Sequence, residues 1–173
     1  MEQFYKLLTG GDLRSIGKSN AIVLKVQNQD YFDELFKCLF HKDRLVVMRA
    51  ADAIEKITLQ HPAYLSKYKN VLLELCDAAK NKELKWHLAL LIPRLNLSGK
   101  EIEIVWRILS GWVSDKEESK IVRVNSIQAL YDLAGKETKY VKDLQTLLFK
   151  IQKENVPSLN ARIKKFNFQN PIY

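Results

Sequence analysis

The chain has 173 residues, enough for one domain with a continuous core, and its 47% hydrophobic and 28% charged content is that of a soluble globular protein. Six glycines and four prolines are too few for a β-rich fold made of many tight turns, and no apolar stretch approaches the ~18 residues of a membrane span. The formal net charge is +8, with most of the excess in residues 119–173, where ten basic side chains face four acidic ones. That excess suits phosphate backbones or acidic protein surfaces, or serves solubility alone.

Lys6-Leu-Leu-Thr-Gly10 is too short for the apolar region of a leader. Gly11-Asp-Leu-Arg-Ser-Ile-Gly17-Lys18-Ser19 resembles a phosphate-binding loop but has five residues between its glycines where that motif needs four. No apolar strand precedes it, so a turn and a helix cap are expected there. A helix is expected around Ser19 to Gln27, then one from Asp30 to Phe40 with Tyr31, Leu35, Phe36 and Leu39 on one face. The segment 43–57 opens on Asp43, a capping residue, and is broader in its apolar character than the helices between the repeat segments. Asn70 to Ala79 places Val71, Leu72, Leu75 and Cys76 at helical spacing, and Asn81 then opens the segment 81–95. Pro93 should bend that helix near its end, because it has no N–H for the carbonyl of Ala89.

Ser98-Gly-Lys-Glu101 reads as a capping box before Ile102, Val105, Trp106, Leu109 and Val113. Ser119 opens the segment 119–133, and Gly135 is expected to stop it. Glu137 to Lys153 carries Val141, Leu144, Leu148 and Ile151 inward, Ser158 to Phe166 forms a last short helix, and a loose tail is expected from Asn167. Cys38 and Cys76 both fall in apolar helical patterns and read as buried thiols in a reducing compartment, so a cytoplasmic protein is expected.

Segments 43–57, 81–95 and 119–133 align without gaps at two offsets of 38, and Ser158 begins a partial copy at 39. A period near 40 with two helices per unit is that of HEAT or armadillo repeats. The pattern carried by Val47-Met-Arg49-Ala-Ala-Asp-Ala-Ile-Glu-Lys-Ile57 and Ile121-Val-Arg123-Val-Asn-Ser-Ile-Gln-Ala129-Leu130 resembles the second helix of the HEAT-repeat family. Met48 to Lys56 and Lys85 to Ala89 are also similar to small bacterial HEAT-like proteins. The resemblance covers residues 19–166 and implies an all-α fold: a right-handed α-solenoid of about four helix pairs, with second helices lining a concave face. On this reading one domain spans 1–173, with repeats at 19–58, 59–97, 98–135 and 136–166 and the tail at 167–173. Such folds imply a protein-binding scaffold more often than an enzyme.

Catalytic and metal chemistries find little support. Cys38 and His41 share a helix face without a third orienting group, and three histidines and two cysteines show no paired ligand spacing. Some HEAT-like proteins are DNA glycosylases with aromatic residues and a carboxylate on a basic concave face. Trp86, Trp106, Trp112, Asp52 and Asp132 are available here, but the tryptophan- and aspartate-rich pattern of that group is not present, and the tryptophans at 106 and 112 fit a core. No catalytic residue, metal or cofactor is expected.

Equal offsets place equivalent residues side by side. One ladder runs Val47, Lys85, Arg123 and Arg162; a second runs Arg49, His87 and Asn125; a third runs Lys56, Arg94 and Asp132. The candidate concave face is therefore Arg49, Lys85, Trp86, His87, Arg123 and Arg162. Arg49 and Arg123 at this repeat position also suit ties to an acidic neighbour such as Asp52. The expected partner is a protein, with nucleic acid at the basic last third as the alternative. The oligomeric state is open.

Overall fold

In the computed structural model, which describes residues 2–11 and 18–166, every regular element is helical. The described residues group into two compact units, Met1–Asn70 and Val71–Tyr173. The first unit is built on α1 (Glu2–Leu8), α2 (Ser19–Lys25), α3 (Gln29–Phe36) and α4 (Arg44–Gln60), with 3-10 turns at Lys37–Phe40 and Pro62–Tyr68. The α4 helix packs against the other three because Val46, Ala50, Ala53, Ile54 and Ile57 are all buried. Its alanines let neighbouring backbones approach closely. Asn28 starts α3 by accepting the amide of Tyr31 at 3.0 Å, and Asp43 starts α4 by accepting that of Leu45 at 2.9 Å.

An aromatic and polar cluster fixes α3 to the 62–68 turn. Phe36 stacks on Tyr68 with ring centroids 3.7 Å apart. The Tyr68 hydroxyl donates to Asp33 at 2.7 Å, Gln29 donates to the same carboxylate at 2.8 Å, and Lys67 closes an ion pair with it. Desolvation alone would raise the pKa of Asp33. The hydrogen bonds from Lys67, Gln29 and Tyr68 outweigh it, so the carboxyl sits below its usual value.

α5 (Lys69–Ala78) begins at the boundary between the units. The second unit then contains α6 (Lys82–Leu91), α7 (Gly99–Ser114), α8 (Lys120–Lys136), α9 (Val141–Gln152) and α10 (Pro157–Ile163). The α8 helix packs against α6, α7, α9 and α10, and its Val122, Ile127, Leu130 and Leu133 are fully buried. A helix enclosed on so many sides has little polar surface. The capping box at the head of α7 is present: Ser98 accepts the amide of Glu101 at 3.4 Å, and Glu101 accepts that of Ser98 at 2.6 Å. Trp106 and Trp112 are nine-tenths buried. Cys38 and Cys76 are buried free thiols, and burial pushes the second up to about 12.

Several local expectations need correction. Two elements were not anticipated, α1 and the 3-10 turn at Pro62–Tyr68. Each is only seven residues long, and its few apolar residues, such as Phe4, Leu8 and Leu65, set up no extended period. Asn81 makes no side-chain cap; only its backbone carbonyl takes the amides of Leu84 and Lys85, at 3.1 and 3.0 Å. The α8 helix runs through Gly135 to Lys136, because the Lys136 ammonium reaches the carbonyls of Pro93 at 2.5 Å and Leu95 at 3.3 Å. That contact holds the last turn in helical form. Pro93 acts as expected: α6 ends at Leu91 and continues as a 3-10 turn, Ile92–Arg94. The last helix starts at Pro157 and ends at Ile163, short of Phe166, whose ring stacks on Tyr131 with centroids 4.0 Å apart. Most of the segment that resembles a phosphate-binding loop, residues 12–17, and the tail 167–173 lie outside the described residues.

Candidate functional site

In the second unit the helices α6, α8 and α10 lie side by side, each of the outer two packed on α8. This layer carries five of the six candidate residues, Lys85, Trp86, His87, Arg123 and Arg162. The structure shows most of them turned to internal work.

Lys85 pairs with Glu118, and its ammonium lies 5.5 Å from the centre of the Trp112 ring. Arg123 is 3% exposed. Its Nε donates to the carbonyl of Val113 at 2.8 Å and its Nη2 to Glu154 at 2.7 Å. Glu118 and Glu154 play the same part twice. Glu118 sits in the loop before α8 and receives the cation of α6, and Glu154 sits before α10 and receives the cation of α8, at separations of 33 and 31 residues. Asn155, with φ of 55°, turns the chain sharply just after Glu154; asparagine tolerates that left-handed backbone better than most residues. Between the two loops lies an open cleft of about 520 Å³, with Arg123 and Glu154 in its wall and the exposed Lys116 and Lys120 at its rim.

His87 is fully buried, and its ring lies 3.6 Å from that of Trp86 at an interplanar angle of 29°. Trp86 itself is half-buried, so one part of the indole is fixed from within and the rest reaches the surface. Arg162, also half-buried, donates to Gln128 at 2.9 Å, and Gln128 donates on to Asp132 at 2.8 Å. The protein around the Asp132 carboxyl raises its pKa by desolvation, against the pull of Gln128, Lys136 and Arg162. Ile121, 47% exposed, adds an apolar surface on α8.

Arg49 belongs to the first unit. It is 1% exposed and donates from Nη1 to the carbonyls of Leu8 at 2.8 Å and Gly10 at 2.6 Å. The guanidinium thus satisfies the end of α1, where carbonyls have no helical partner. Gly10 and Gly11 have φ of 82° and 79°, and a Cβ on Gly11 would stand 3.2 Å from Nη2 of Arg49. The turn is therefore glycine both for its backbone angle and for the room the guanidinium takes. Asp52 is not the acid that ties Arg49. It accepts Ser19 at 2.5 Å and Lys56 at 2.7 Å, and Lys56 also reaches Asn20 at 2.8 Å, so Asp52 fastens α2 to α4.

Glu118 and Glu154 were missed by sequence reasoning. Both stand just ahead of a second helix, but unequal separations from their partners hide them from a search at fixed offset. Among the described residues no group of three or more His, Cys, Asp or Glu could hold a metal ion, and no helix is long and apolar enough to cross a membrane.

A family model for the HEAT repeat domain matches residues 12–167 of the chain. No curated protein and no solved structure matches it.

Proposed function

Because the chain belongs to the HEAT-repeat family, whose members generally serve as protein-interaction scaffolds, we propose that it is a non-enzymatic adaptor. It binds a protein partner through the layer of second helices α6, α8 and α10. In this reading the helix pairs form a right-handed solenoid of about four repeats, and that layer is the concave side. The free buried thiols suit a reducing compartment such as the cytoplasm.

The observation that carries the proposal is the half-buried Trp86 braced against buried His87. A rigid aromatic ring that reaches the surface loses little entropy on binding, and Trp and Arg dominate the energetics of protein interfaces. Arg162 and Ile121 supply a polar and an apolar neighbour on the same layer. Lys85, His87 and Arg123 position this face from below, and Arg49 holds the first unit in the same manner.

The test compares proteins retained by the wild-type chain and by a Trp86→Ala, Arg162→Glu variant of equal helicity. Proteins retained by the first and lost by the second, after nuclease treatment, support the proposal. An identical set on both removes it.

Nucleic-acid binding is the second reading. Lys150, Lys153, Lys164 and Lys165 are all exposed in the basic last third. Phosphate contacts release counterions, so this reading requires affinity to fall steeply with salt.

A further inference from the structure

A separate groove lies on the other helices of the second unit, where α7 meets the 3-10 turn Thr138–Tyr140 and the start of α9. It is open, about 630 Å³ in volume, and floored by Trp106 and Tyr140, whose rings stack with centroids 4.4 Å apart. Trp106 and Tyr140 are 9% and 8% exposed. Neither the indole N–H nor the phenol O–H makes a hydrogen bond to the described residues, and neither is among the polar atoms sealed from solvent without a partner. Two donors carried on nearly buried rings are thus presented to the groove rather than to the fold.

The rim adds charge. Lys100 and Arg107 project from α7, and the Lys139 ammonium sits 5.0 Å from the centre of the Tyr140 ring. Glu103 and Asp143 also line the groove. Glu103 stands four residues before Arg107 and Asp143 four after Lys139, a spacing at which opposite charges on a helix often pair. Yet Lys100, Glu103, Arg107 and Asp143 make no ion pair among the described residues. The charges stay splayed around the groove.

We propose that this groove is a second docking site, taken by a mixed-charge segment of a partner protein. Carboxylates of that segment lie against Lys100, Arg107 and Lys139 and accept the Trp106 and Tyr140 donors. A basic residue of the segment faces Glu103 and Asp143. Those two carboxylates also decide against nucleic acid, because an unbroken row of phosphates would meet like charge at both. The exposed Ile104 offers an apolar edge for the same segment.

The probe is a fluorescein-labelled helical peptide of about four turns, with glutamates at four-residue spacing on one face and a lysine between them. Anisotropy gives its affinity for the full chain, and the Trp106 indole N–H signal in an amide correlation spectrum reports where it sits. Binding should shift that signal, and Arg107→Glu and Lys139→Glu should each weaken it about tenfold. Both substitutions are at exposed positions and leave the fold intact. The Trp86→Ala, Arg162→Glu variant should bind the peptide as wild type does, which separates this site from the second-helix layer. An unmoved Trp106 signal at saturating peptide overturns the proposal. So does displacement of the peptide by oligothymidylate of equal charge, which would assign the groove to nucleic acid.

Discussion

Arg49 is among the largest of the fully buried side chains, and it donates to two backbone carbonyls at the end of α1. Replacing it with leucine leaves those acceptors dry and without donors. Arg49→Leu should lower stability by about 3 kcal/mol, read from the urea midpoint at constant slope; a loss below about 1 kcal/mol would show that water takes over the carbonyls. Asp33 gives a pH signature of the opposite kind. Its carboxyl is held below the usual range, so the stability it contributes is present above its unfolded pKa of about 4 and is lost as pH falls through the folded value. Asp33→Asn should therefore weaken the protein at neutral pH, and the difference between the two proteins should shrink on acidification toward pH ~3. A difference that does not change with pH would mean that Asp33 acts through shape alone.

At the scale of helices, the contacts between successive repeats in the second unit include one ion pair each, Lys85 with Glu118 and Arg123 with Glu154. The second is the drier at the cation, and breaking one partner leaves a charge in a poorly solvated place. A double-mutant cycle on Arg123→Leu and Glu154→Gln should give a coupling of about 1–3 kcal/mol; additive single effects would mean that the pair only fills space. The helices themselves were legible in the sequence because their apolar residues recur at three and four, and the capping box before α7 was legible because its two residues act within one turn. Asn81 and Gly135 were misread for a related reason. A residue's local preference marks an end, but a distant group such as the Lys136 ammonium on the Pro93 and Leu95 carbonyls can override it.

For the whole molecule, the 38-residue register led directly to the family, while the candidate face was legible only in part. Equal offsets do bring Lys85 and Arg123 to equivalent places on adjacent helices. What a linear pattern omits is depth: Arg123 is 3% exposed and His87 fully buried, whereas Trp86 beside it reaches solvent. The net charge of +8 bears on the choice between protein and nucleic acid. An interface using six or more cations against phosphates loses roughly a thousandfold in affinity between about 50 and 200 mM salt. Binding of the protein partner through Trp86 should change by less than about tenfold over the same range, measured by titration at each salt concentration. A loss as steep as the first would move the function to nucleic acid.

The loop glutamates also say where this chain can be cut and rejoined. A repeat copied from the cap of one second helix to just before the cap of the next, residues 119–155 for instance, carries Arg123 together with Glu154 and leaves Glu118 upstream with its own partner Lys85. Shuffled or lengthened arrays made from this sequence should therefore take their seams after the glutamate, at the helix cap, so that each transplanted unit keeps its cation and the carboxylate that pairs with it.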